Sequence, residues 1–137
     1  MTFGGVIEGT GIHDQNYLGL WTDPTGGGPL VVARSGTDGE LGPGLGPGIF
    51  FARFQSAVMN RQGDIAFSGE VRSEQGLSGD PGRIWRIPSG GLPQVVAQPD
   101  TDGPLGPGLG DGFAFSGLGA PRINARRHRF FRESKWA

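Results

Sequence analysis

The sequence predicts an all-β chain of two four-stranded antiparallel, propeller-like blades. The first observation behind this is an internal repeat. Laid on itself with Phe3 against Phe67, the chain aligns without a gap, and residues 3–66 match 67–130 at 22 positions. The second is that short apolar runs alternate with glycine and proline clusters at fixed places. The third is that no stretch keeps a helical period, because Gly or Pro interrupts every candidate window. Without that order, 28 Gly and 11 Pro in 137 residues would suggest a low-complexity chain. Placed between apolar runs, they read as turns.

The repeat is densest between 21–51 and 85–115, with 19 identities in 31 positions. Trp21 meets Trp85, Val31-Val32-Ala33 meets Val95-Val96-Ala97, Phe51 meets Phe115 and Asn60 meets Asn124. Phe3, Phe67 and Phe131 mark three successive starts, giving repeat 1 at 3–66, repeat 2 at 67–130 and the start of a degenerate third repeat, or a frayed tail, at 131–137. The first strand of each repeat carries the tryptophan, at 18–22 and 83–87. A Pro-x-Gly-Gly turn follows at 24–27 and 88–91. The second strand spans 30–34 and 94–98, and its Val-Val-Ala run suits a strand covered on both faces. A loop of glycine and proline, 37–48 and 101–112, leads to a long third strand at 49–59 and 113–123 for which a bulge is expected. A turn at Asn60 and Gly63 opens the fourth strand, 65–71, whose alternation Ile65, Phe67, Gly69, Val71 fits one buried face. Four short strands per repeat is the pattern of a propeller blade. A sandwich of two four-stranded sheets is the alternative. Blades bury their faces against neighbours, so two of them are expected to self-associate or to belong to a longer array.

Composition narrows the function classes. There is no cysteine, which excludes a disulfide framework and a thiol nucleophile, and two histidines leave no zinc-finger pattern. No apolar run approaches the length of a membrane-spanning helix. The opening Met-Thr-Phe-Gly-Gly lacks the charged and apolar parts of a signal peptide, so no export signal is expected in this chain. Residues 1–121 hold 6 Arg against 12 acids, whereas 122–137 hold five Arg and Lys135 against Glu133. This basic end interleaves arginine with Phe130, Phe131 and Trp136, a pattern seen in nucleic-acid binding. A truncated repeat or a solvated end accounts for it better. Codons for Arg-Arg-His-Arg at 126–129 can spell Gly-Asp-Ile-Ala one base later, so a reading-frame slip is one form of that truncation. No nucleic-acid partner is expected.

The segment Asn60-Arg61-Gln62-Gly63-Asp64-Ile65-Ala66-Phe67 resembles the Asn-x-x-Gly-x-x-Ala-Phe tandem-repeat proteins of bacterial cell surfaces. Gly19-Leu20-Trp21 and the stretch Leu30–Arg34 resemble that family too, and the likeness covers most of 3–124. It implies an extracellular or surface location and a repeat without an assigned activity. The second copy departs from the signature after Asn124, and the chain carries fewer repeats than such proteins normally do.

Few residues invite a chemical role. Trp21 and Trp85 are the candidate ligand-binding residues, as aromatic platforms for a glycan, against the alternative of core packing. The glycine-rich loops lack the Lys-Ser/Thr and the helix of a phosphate cradle. Asp100-Thr101-Asp102-Gly103 has a faint calcium-loop look, but the first copy has Gly36 at the position of Asp100. Asn60 and Asn124 read as turn residues, since Asn bonds its own backbone there. His13 and His128 are unmatched between the copies, and no base, nucleophile and orienting group fall together. The expectation is a non-enzymatic structural or interaction module, with no catalytic residue, metal or cofactor. The alternative is a carbohydrate-binding homo-oligomer that closes a propeller between chains.

Overall fold

The computed structural model describes residues 1–13, 15–23, 27–73, 82–101 and 103–124. Within them lie seven strands in two antiparallel sheets and no helix. The first sheet has the order β1-β2-β3, with β1 at Thr2–Val6, β2 at Leu18–Thr22 and β3 at Leu30–Arg34. The second has the order β4-β5-β6-β7, with β4 at Ile49–Met59, β5 at Ile65–Ser73, β6 at Arg83–Ile87 and β7 at Gln94–Ala97.

The sheets are out of phase with the sequence repeat. The second sheet joins the end of repeat 1 to the start of repeat 2: β4 and β5 meet across the turn at Asn60, and β5 then pairs with β6. The first sheet, β1 to β3, falls at the start of repeat 1. Thr2 stands one repeat before Ala66, so β1 is the first sheet's counterpart of β5. The sequence pattern does not announce β1 as a strand, although Phe3 aligned with Phe67 is a signal for it. Three expectations need correction. The four strands expected of repeat 1 do not make one four-stranded sheet: β2 and β3 join β1 in a sheet of three, while β4 and β5 join β6 and β7. The stretch 113–123, aligned with β4, forms no strand. There Gly117, Gly119 and Pro121 replace Arg53, Gln55 and Ala57, and glycine and proline weaken a ladder. No following strand equivalent to β5 lies beside it among the described residues. The Val-Val-Ala runs are also not covered on both faces. Val31 is 39% exposed and Val96 45% exposed, so neither run is sealed on both faces.

The long strand is bulged, in keeping with its length. The β4–β5 register shifts between Phe51 and Arg53 and again between Gln55 and Val58, and Ser56 takes a φ of 56° at the second shift. One face of β5 is buried throughout, at Ile65, Phe67, Gly69 and Val71. These side chains meet Phe51, Trp85 and Ile87 in a core that also takes in Leu20 and Ala33 of the first sheet. Rings dominate it. Phe67 stacks on Trp85 at 5.7 Å between centroids, and Phe51 stands edge-on to Trp85 at 5.0 Å. Such offset and edge-to-face contacts suit the ring quadrupoles.

Candidate functional site

Two constructions concentrate the polar groups of the molecule, and both organise backbone. The first is the turn from β4 to β5. The Asn60 side-chain oxygen accepts hydrogen bonds from the backbone N–H groups of Gln62 and Asp64, at 3.0 and 2.9 Å. Gly63 then takes a φ of 87°, which a residue without Cβ adopts at low cost. The turn delivers Asp64, whose side chain is fully buried. One carboxylate oxygen accepts from the Ser89 backbone N–H at 2.9 Å, and the other from the Asn60 side-chain amide at 3.0 Å. The same amide donates to the carbonyl of Asn124 at 2.9 Å. Asp64 thus ties the β4–β5 turn to the turn after β6. Each of its oxygens accepts a hydrogen bond from one of the two turns, so it clasps them together. Sequence reasoning singles out Asn60 as a turn residue and passes over Asp64. A carboxylate placed directly after Gly63 and before a wholly apolar strand start is the available signal.

The second construction is the glycine-rich loop, and its bonds recur in the second copy. Arg34 N–H donates to Leu41 O, and Gln98 N–H donates to Leu105 O; Gly42 to Gly39 is matched by Gly106 to Gly103, and Ile49 to Gly46 by Phe113 to Gly110. Gly36 N–H donates to Phe51 O as Asp100 N–H does to Phe115 O. The φ angles agree as well: 72° and 73° at Gly44 and Gly108, 108° and 106° at Gly46 and Gly110. Asp100 adopts 63° where Gly36 adopts 76°, a left-handed conformation that Asp tolerates better than most residues. Asp38 accepts from Gly48 N–H at 2.7 Å and closes the first loop on its own backbone. Its counterpart Asp102 lies outside the described residues. No group of three potential metal-ligating side chains occurs among the described residues.

The two candidate tryptophans sit in different surroundings. Trp85 is fully buried, its ring covered by Phe67 and Phe51, and its indole N–H donates to Pro43 O at 2.9 Å. It offers no ring face to a ligand in this arrangement. Trp21 is half-buried. It stacks on Phe3 at 5.9 Å and lies across Gly5 and Gly19, where an added Cβ would come within 3 Å of the indole. Of the remaining expectations, His13 is an exposed loop residue whose Nδ1 accepts from Gln15 N–H at 3.2 Å. His128 and the basic residues beyond Asn124 lie outside the described residues, as does most of the turn at 24–27. A hollow of about 270 Å³ opens between the sheets, lined by Thr22, Leu30, Val31, Ile65, Ile87 and Leu92. Its walls are mostly aliphatic and place no titratable group. No helix among the described residues is long and apolar enough to cross a membrane.

A family model for a family of unknown function, DUF7453, matches residues 1–133. No curated protein and no solved structure matches the chain.

Proposed function

The chain belongs to that family, and from its own residues we propose that it is a non-enzymatic structural or interaction module. Its repeat units are propeller-like blades of a bacterial secreted or surface protein. The observation that carries this reading is the use made of the polar residues. Asn60, Asp64 and Asp38 spend their hydrogen bonds on turns and on joining strands, and the same loop bonds return in the next copy. Repeat proteins are built this way: each unit supplies a fixed frame and buries its faces against its neighbours. The surface location rests on the resemblance of residues 60–67 to the bacterial surface repeats.

A second reading, a carbohydrate-binding homo-oligomer, is favoured by one feature. Trp21 stays half-exposed beside Phe3, which is 40% exposed, and together they present aromatic surface of the kind sugars stack on. A glycan array on the purified full chain separates the two. The module reading expects no reproducible glycan binding. Binding that is lost in Trp21→Ala, with the circular dichroism spectrum unchanged, replaces it with the lectin.

A further inference from the structure

Two regions are uncovered among the described residues, and the repeat alignment matches one to the other. The first is the outer edge of β1. Asp23 N–H donates to Met1 O and Ile7 N–H to Tyr17 O, so the odd-numbered residues of β1 bond inward to β2. By the alternation of an antiparallel ladder, Thr2, Gly4 and Val6 aim their N–H and C=O groups at the open side. In the second sheet the equivalent groups of Ala66, Ser68 and Glu70 face β4. β4 also covers the rings there: Phe67 and Trp85 are fully buried, while Phe3 is exposed and Trp21 half-buried. What the first sheet lacks is a β4.

The second region is a β4 without a sheet. The stretch 113–123 aligns with β4, and it leaves the second sheet as β4 leaves the first, through the matched bonds of Phe51 O and Phe115 O. Yet it pairs with nothing as a strand, Phe113 is 55% exposed, and Leu109 in the loop before it is 68% exposed. In the first copy, Leu45 packs on the core and Pro43 O accepts from Trp85. The strand that 113–123 would need next is an equivalent of β5; the one in the same repeat, 129–137, lies outside the described residues, and β1 is another. In sequence order the complete second sheet lies between the two regions, and propellers use about four to eight blades.

We propose that the partner is a second copy of this chain, whose residues 113–123 add to the outer edge of β1 and complete its sheet. This inference rests on the propeller-like reading and names the surface through which such units join. Moving the β4–β5 register by one repeat, forward for β4 and back for β5, sets the pairing: Gly119 opposite Gly4, Gly117 opposite Val6, and Arg122 opposite Thr2. Pro121 falls at the bulge after the residue aligned with Gln55, where a missing N–H breaks no ladder bond. Phe115 then stands against Trp21 as Phe51 does against Trp85, and Pro107 O accepts the Trp21 indole N–H. The contact is head-to-tail; closed at about four to eight blades, as in propellers, it makes a ring of about two to four chains.

Cysteine cross-linking in the full chain tests the register, because the chain has no cysteine of its own. A Cβ at Gly4 meets only Gly19 O at 3.8 Å and one at Gly119 meets nothing, so Gly4→Cys and Gly119→Cys should both fold. Directly opposed residues in a bonded pair have Cα atoms about 5.5 Å apart, inside the disulfide window. Mixed as separate chains and oxidised, Gly4→Cys and Gly119→Cys should link at least tenfold faster than Gly119→Cys with Gly9→Cys. Light scattering on the unmodified chain should give one discrete mass of several chains, and Leu109→Glu should reduce it to one. A monomeric mass for the unmodified chain overturns the proposal. So does equal linking in the two mixtures, and so does a Gly4→Cys/Gly119→Cys double variant that closes within one chain. Glycan binding in a correctly cross-linked oligomer would remove the structural-module reading and leave this contact standing.

Discussion

Phe67 with Trp85 and Phe3 with Trp21 are the same pair of rings in two surroundings. Both pairs stack across the same register of neighbouring strands, with the same slip in the ladder just before the tryptophan. One pair is sealed by β4 and the Pro43 loop, and the other is open. Local sequence therefore sets the strand pairing and the stacking, whereas burial is decided by what the preceding repeat brings. In a repeat protein, identical residues do not make identical contributions to stability.

The largest expected effect breaks this symmetry directly. Trp85→Ala should cost about 3–5 kcal/mol in denaturant unfolding, the usual loss for a fully buried large aromatic. Trp21→Ala should cost about 1–2 kcal/mol in dilute protein, where only part of the ring is covered. Equal losses would mean that the two sheets are covered alike in solution. Next is the clasp between turns. Asp64→Ala leaves the Ser89 N–H and one N–H of the Asn60 amide without an acceptor and should cost about 2–3 kcal/mol. In a double-mutant cycle with Asn60→Ala the two losses should fall short of additive, since the residues bond each other; additivity would show that the turn and the clasp act separately. The loops come third. Leu45→Ala should cost about 1–2 kcal/mol for its half-covered side chain, while Leu109→Ala should leave the melting point of dilute protein unchanged. The smallest effect is at Arg53. Its ion pair with Glu70 spans 3.9 Å between side chains that are 60% and 34% exposed, so Arg53→Ala should change stability by less than about 0.5 kcal/mol.

Much of the strand pattern is legible because it depends on short-range signals. The bounds of β2, β3, β4 and β6 follow from apolar runs and the turns between them, and the bulge in β4 follows from its length. What is not legible depends on neighbours. Thr2-Phe3-Gly4-Gly5-Val6 is too short and too rich in glycine to announce a strand, and it is one because β2 pairs with it. Residues 113–123 align with a strand and are not one, and Gly117, Gly119 and Pro121 stand there where β4 has Arg53, Gln55 and Ala57. The candidate site divides the same way. That Asn60 makes a turn is a local property of asparagine. That Asp64 is buried, and that Pro43 accepts from an indole 42 residues further along, depends on how the turns and sheets come together.

The offset between repeat and sheet has a consequence for how such a gene can grow. Because the four-stranded sheet takes its strands from two successive repeats, a cut at the repeat boundary divides it. Under the pairing proposed above, a chain made of whole repeats starts with a sheet that lacks a β4 and ends with the stretch that supplies one. Duplicating one whole unit anywhere inside adds one complete sheet and leaves those two ends as they were. Lengthening the protein by whole units is thus neutral for its joints, while an insertion of any other length within the strands shifts the register of a seam.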